Sequence, residues 1–414
     1  MVTIAHSFAD DSAEGPDVFE LALRALLPSH HDGLLLQACL ADGVAAERAW
    51  SGFIATVGNP RTFFAMDRAG LKELLPVLAA SLARNEIDVD AQFQAYLQQA
   101  GAAEALRARE YTDSLGEVLR VFEERAISPL LLKGGAVSAA VYPRPSRRHN
   151  HAIDLLVEPH HLKESVSLLT RIGWIPRARS PSAVTGEGAH RDMWHANGFV
   201  MGLHSTPFFL PHFRLKTGDL DARARVIAIR EHPAWILSPE DMLVHLCGHA
   251  TYSRSRFNLR WACDVFFLLQ RHPRIDWRLV LDTATAAGLA LPLAVQLQWL
   301  REVLAAPVPA ACIAELEIRG RPLDPVAREG VFASLLHATL SRPRCLSALS
   351  GDGAAMLGFL RFSVAPSVRY VRWRHNISRS WQIPGWYLDR PRRGALRLLR
   401  TGVRRFQRAT ARIG

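Results

Sequence analysis

Between Leu130 and Val157 the chain reads LLLKGGAVSAAVYPRPSRRHNHAIDLLV. The short apolar run Leu130 to Leu132 reads as a buried strand, and Lys133-Gly134-Gly135 as the turn that closes it. The small-residue stretch Ala136 to Tyr142 follows as a helix. A Pro/Arg loop then leads into a second strand, Ala152 to Val157. A helix between two strands has to lay its apolar side on the sheet they form, so this stretch commits the chain to an α/β layer. Alternation places Asn150, Ala152 and Asp154 on one face of the second strand, with Ile153 and Leu155 toward the core. A lone carboxylate in so apolar a strand is seldom there for packing.

The same arrangement suits phosphate chemistry. Backbone N–H groups of a glycine turn at a helix start, with the helix dipole behind them, receive phosphate. A carboxylate on the adjoining strand can hold the divalent ion that phosphates bring with them. Lys133 is placed to neutralise a phosphate oxygen, and Gly135 lets the backbone approach closely. The bland reading is a tight strand-to-helix turn, with Asp154 paired to Arg147 or Arg148.

These residues resemble the core motif of an uncharacterised nucleotidyltransferase-like family of bacteria, a branch of the DNA polymerase β-like nucleotidyltransferase superfamily. Lys133, Gly134, Gly135, Tyr142, Arg148 and Asp154 fall on matching positions. A later stretch is similar too: Ser238-Pro239-Glu240-Asp241, His245, His249, Arg260, Trp261 and Asp264 follow the family's helical segment, so the resemblance spans about 130 to 270. The resemblance implies transfer of a nucleoside monophosphate from a nucleoside triphosphate to an acceptor hydroxyl, with Mg²⁺ or Mn²⁺ as cofactor. It implies Asp154 on metal, with His204 and Arg148 in support, and Lys133, Gly134, Gly135 and Arg148 at the phosphates. The acceptor is open between a small molecule, a peptide and a protein. Two positions depart from the pattern. Ala152 stands where the first Asp of the metal pair belongs, and Gly202 where a carboxylate two residues before His204 belongs. Two-metal transfer needs several anionic oxygens, for which His204, Asn150, Glu158 or Asp192 are the available substitutes. The alternative is therefore a catalytically degenerate nucleotide-binding or scaffold protein.

Elsewhere the sequence says less about chemistry. His149-Asn150-His151 is too short for a nuclease motif. His245 and His249 have zinc-compatible spacing but no third ligand in view, and read as packing histidines; Asp264 reads as structural, paired to an Arg. The expected fold class is α/β (α+β), a small mixed-sheet core embedded in a largely helical chain. The expected segments are a helical domain (1–125), the nucleotidyltransferase-like core (126–235), a second helical domain (236–360) and an Arg-rich tail (361–414). Five scattered cysteines without a CxxC pair, and no signal-like N-terminus, point to a cytoplasmic protein.

The net charge of +11 is not spread evenly. From Arg361 onward the chain holds 14 Arg and no Lys against the single acid Asp389, so the remainder is close to neutral. That argues against a uniformly basic nucleic-acid-binding domain. The tail, with a basic amphipathic helix expected over about 394 to 412, reads first as a solvated or docked helix. Peripheral contact with an anionic membrane comes second.

Overall fold

The computed structural model describes residues 18–66, 70–177, 190–208, 215–252, 259–321, 329–333, 335, 353–375, 377 and 379–388. The amphipathic helix expected near the C-terminus lies outside them. The N-terminal third is helical, as its apolar periodicity requires: α1 (Val18–Arg24), α2 (His30–Leu40), α3 (Gly43–Val57), α4 (Pro60–Ala65), α5 (Leu75–Arg84) and the long α6 (Ala91–Glu123). Ser29 caps α2 in a capping box with Asp32, and Asp90 caps α6 through the N–H of Phe93. Trp50, Phe53, Phe64 and Phe93 pack their rings together between these helices.

The α/β core follows, with β1 (Leu130–Leu132), α7 (Lys133–Ala140), β2 (Ala152–Leu156), α8 (Leu162–Arg171), β3 (Ile175–Pro176), β4 (His190–Trp194) and β5 (Val200–His204). Then come α9 (Thr217–Arg223), β6 (Arg225–Ile229) and β7 (His232–Ile236). The seven strands form one mixed sheet in the order β3-β4-β5-β2-β1-β7-β6. β2 lies centrally, antiparallel to β1 and parallel to β5. As the alternation demands, Ile153 and Leu155 are fully buried. The mixed sheet within a largely helical chain is the fold class the sequence implies.

Among the described residues helices follow: α10 (Pro239–Tyr252), α11 (Arg260–Arg271), α12 (Trp277–Ala286), α13 (Ala290–Leu304), α14 (Ala310–Gly320), α15 (Gly353–Val364) and α16 (Val368–His375). The Ser238 hydroxyl accepts from the N–H of Asp241 and so caps the start of α10. One apolar cluster runs from Leu35 through the sheet to Leu316. A second gathers α1, part of α13, Val331, Phe332, Leu335, α15 and Tyr370.

The sheet is wider than the sequence suggested. The β6–β7 hairpin turns at Arg230 and Glu231, both in the left-handed region at φ 50° and 70° without a glycine or asparagine between them. An ion pair of 2.5 Å from Arg230 to Asp113, and His232 on Glu123 at 2.8 Å, tie this turn to α6. A Cβ on Gly116 of α6 would stand 2.8 Å from the Cβ of Arg230, so that glycine is what lets the turn settle. Among the described residues no helix is long and apolar enough to cross a membrane.

Candidate functional site

The site is built from the central strands and the helix that follows β1. α7 begins three residues earlier than the sequence suggested, at Lys133, which takes φ 51° as the chain swings from strand into helix. That backbone costs a non-glycine residue about 1–2 kcal/mol. The side chain's partner offsets it: Lys133 Nζ donates to Asp154 Oδ1 at 2.7 Å, across the β1–β2 pair where Leu132 and Asp154 are in register. His204 Nε2 lies 2.9 Å from the same oxygen. Both contacts fall on Oδ1, and Oδ2 takes no hydrogen bond from the described residues. Burial alone would raise the Asp154 pKa, but Lys133 and His204 together hold it well below the usual carboxylate range. Its expected alternatives, Arg147 and Arg148, are not its partners.

Asp154, Gly202 and Asp192 stand in one register row across β2, β5 and β4, and therefore on one face of the sheet. The row two residues further along holds His204 and His190. A relay runs between the rows: His204 Nδ1 is 3.2 Å from His190 Nδ1, and His190 Nε2 is 2.6 Å from Asp192 Oδ1. Burial first, then the Lys133 charge, press the His204 pKa down to about 4.

Gly202 makes this packing work. A Cβ there would stand 2.7 Å from Asp154 Oδ1, 2.8 Å from His204 Nε2 and 3.2 Å from His190 Cε1. The space in which the sequence pattern expects a carboxylate side chain is filled by the side chains of its neighbours. Ala152 leaves the other expected ligand position without an oxygen donor on its side chain.

The glycine pair is used on its inner side. A Cβ on Gly134 would lie 2.2 Å from Arg148 Nη1 and 2.5 Å from Asn150 Oδ1; one on Gly135 would meet the Tyr111 hydroxyl at 2.7 Å. Arg148, expected at the phosphates, is turned onto Asp264 in a two-pronged pair of 3.1 and 2.8 Å, with Nη1 donating to Asn150 Oδ1 and the His149 carbonyl. Tyr142 donates to the same Asp264 at 2.8 Å, and Asn150 Nδ2 to Ser138 at 2.9 Å. Asp264 is thus the Arg-paired structural acid that the sequence suggested. The loop from 144 to 151 is further held by Arg107 Nε on the Asn150 carbonyl, Glu104 on His149, and Arg260 on the His149 carbonyl.

His245 is fully buried against Phe208 and Pro207, with His249 one turn on. Among the described residues the group of three metal-capable donors is Glu158, His160 and His161, which does not include them. That group sits just beyond β2, with Glu158 and His160 exposed and Asp154 no part of it. His190 was missed in the sequence, although His190, Asp192 and Trp194 alternate onto one face; only Asp192 drew notice there, as a substitute ligand.

A divalent ion can be tested against these donors. One Mg²⁺ carried by a triphosphate needs one or two protein carboxylates, the phosphates and water supplying the rest. Asp154 Oδ2 meets that need. A second ion bridged by a carboxylate pair is not served, because Ala152 and Gly202 supply no side-chain oxygen.

Residues 65–305, more than half of the chain, match the family described as uncharacterised nucleotidyltransferase. No curated protein matches. Among solved structures, a lincomycin-bound lincosamide antibiotic adenylyltransferase is similar at 14% identity, covering 37% of this chain and 96% of its own, with a TM-score of 0.27. An antigenic nucleotidyltransferase-like protein from Paracoccidioides brasiliensis is similar at 12% identity, covering 49% and 95%, with a TM-score of 0.30. With more than half of its length matched, the chain belongs to the uncharacterised nucleotidyltransferase family.

Proposed function

We propose that this protein binds a nucleoside triphosphate at the Lys133–Asp154 pair and transfers its nucleoside monophosphate to the hydroxyl of an acceptor. In that reaction the acceptor oxygen attacks the α-phosphorus, the bond to pyrophosphate breaks, and the hydroxyl proton is released. The observation that carries the reading is the position of Asp154. It is an ionised carboxylate in the centre of a sheet, with one oxygen held by Lys133 and His204 and the other taking no hydrogen bond from the described residues.

Asp154 would hold the single Mg²⁺ or Mn²⁺ that arrives with the triphosphate. When bound, that ion offsets phosphate charge. Lys133 exchanges one anion for another, leaving the carboxylate for a phosphate oxygen. His204, kept neutral by burial, donates Nε2–H to Asp154 and fixes the carboxylate plane. His190 and Asp192 fix that imidazole in turn. Gly134 and Gly135 act through α7, whose first turn they allow to sit close over Asn150 and Tyr111 so that its N–H groups face the phosphates. Arg148 supports the loop under that turn from Asp264.

A second reading has its own observation. With Ala152 and Gly202 in place of two carboxylates, the same site binds nucleotide and performs no transfer, and the protein acts as a sensor or scaffold. Calorimetry with ATP, in Mg²⁺ and in Mn²⁺, on the wild type and Asp154→Ala separates these from a chain that binds no nucleotide. Metal-dependent binding lost in the variant, with pyrophosphate released in an acceptor screen, supports transfer. Binding without pyrophosphate release under any acceptor supports the second reading. No binding sinks both.

A further inference from the structure

Fourteen large apolar side chains are exposed among the described residues, and six of them fall between 357 and 388: Leu357, Leu360, Val364, Val368, Trp381 and Leu388. The concentration has a geometric basis in α15. Phe359 and Phe362 point inward, at 4% and 5% exposure, and pack with Val331, Phe332 and Tyr370. Leu357, Leu360 and Val364 follow at helical spacing on the opposite side and stand 68%, 52% and 75% exposed. α15 thus has two apolar faces, and its own fold uses one. Exposed Arg361 lies beside that outer stripe, and exposed Arg369, Arg372 and Arg379 follow it. From Gly353 to Leu388 the sequence has five arginines and no acid, and nine more arginines follow against Asp389 alone.

We propose that this C-terminal face, α15 and residues 379–388, seats on an anionic lipid surface. The chemistry selects that partner over the others. An aliphatic stripe gains nothing from a phosphate backbone, so a nucleic acid would satisfy the arginines and leave the leucines in water. A second copy would bring like charge against like charge. A bilayer interface with acidic headgroups takes both at once, the arginines at the headgroups and the leucines in the acyl boundary, with Trp381 at the depth tryptophan favours. Since no described helix can span a membrane, the attachment is peripheral and reversible.

The test is co-sedimentation of the full chain with vesicles of phosphatidylcholine alone and of phosphatidylcholine mixed with phosphatidylglycerol. The wild type is expected to sediment with the mixed vesicles, to be released by salt, and to stay in solution with the neutral ones. Leu357→Gln, Leu360→Gln and Val364→Gln combined should weaken binding by about tenfold or more, since each removes apolar area from the contact. These side chains are already in water, so an unchanged thermal melt confirms that the fold is kept. Brominated lipid should quench a fluorescence component that disappears in Trp381→Phe. Equal binding to both vesicle types, an unaffected triple variant, tighter binding to RNA than to mixed vesicles, or self-association abolished by the triple variant would each overturn the proposal.

Discussion

Gly202 and Asp154 face each other across the β2–β5 ladder, and a Cβ on the glycine would stand 2.7 Å from the aspartate's Oδ1. β5 is paired on both sides, to β2 and to β4, so its backbone has little freedom to withdraw. Gly202→Ala should therefore destabilise the protein by about 1–3 kcal/mol, the usual cost of overpacking. Gly202→Asp should cost more, because it adds like charge beside Asp154, and it should not raise transfer activity above that of the wild type. Denaturant melts check the first and pyrophosphate release the second. A Gly202→Ala protein as stable as the wild type would show that Asp154 and His204 do not fill this space.

Lys133 and Asp154 are each about 15% exposed at the side chain, which is buried enough for their pairing to matter. Lys133→Met leaves Asp154 with His204 alone and should cost about 3 kcal/mol. Lys133→Met with Asp154→Asn removes both charges and should cost less than the two single changes added together. The double-mutant cycle measures that coupling by melts alone. The same single variant should lose nucleotide binding in calorimetry, at a temperature where it is still folded.

Arg148 separates a supporting role from a binding role. Its guanidinium spans Asp264 with two bonds, and lysine can make only one of them. Arg148→Lys should lower stability by about 2 kcal/mol. ATP affinity, measured well below the melting temperature, should fall by less than about threefold, or about 0.7 kcal/mol. A loss of affinity of a hundredfold with an unchanged melt would instead put Arg148 directly on the phosphates.

The legible parts of this molecule are those written in local pattern. β1 starts and ends where the leucine run does, β2 follows its alternation, and α6 is the long unbroken helix its spacing requires. Asp154 stood out because a carboxylate among Ile153, Leu155 and Leu156 has no packing reason to be there. What stayed hidden depends on contacts distant in sequence. Nothing near Arg230-Glu231 marks a hairpin, because its left-handed backbone is stabilised by Asp113 and by the space over Gly116 on α6. Lys133 was expected on a phosphate, and its partner is 21 residues away. The glycine pair was read outward, toward a ligand, while the close contacts of both lie inward on Arg148, Asn150 and Tyr111. Register between β2, β5 and β4 is what joins Asp154 to Asp192, and no single strand carries it.

The buried histidines of α10 give a pH dependence with a defined sign. Burial, then the nearby Lys133 charge, lower the His245 pKa to about 3, and His249 is driven below its ordinary value for the same two reasons. Both are thus neutral in the fold and titrate near 6.5 when unfolded. The unfolded chain binds more protons as pH falls below about 6.5, so stability is full above that value and is lost on the way down toward 3. Each such group contributes a slope of up to about 1.4 kcal/mol per pH unit in that window. His245→Gln retains an N–H for the Pro207 carbonyl and cannot titrate. Denaturant melts of the two proteins from pH 8 to pH 4 should show a shallower acid limb for the variant, with the curves converging in slope above pH 7. Parallel curves throughout would mean that His245 is not held neutral by the fold.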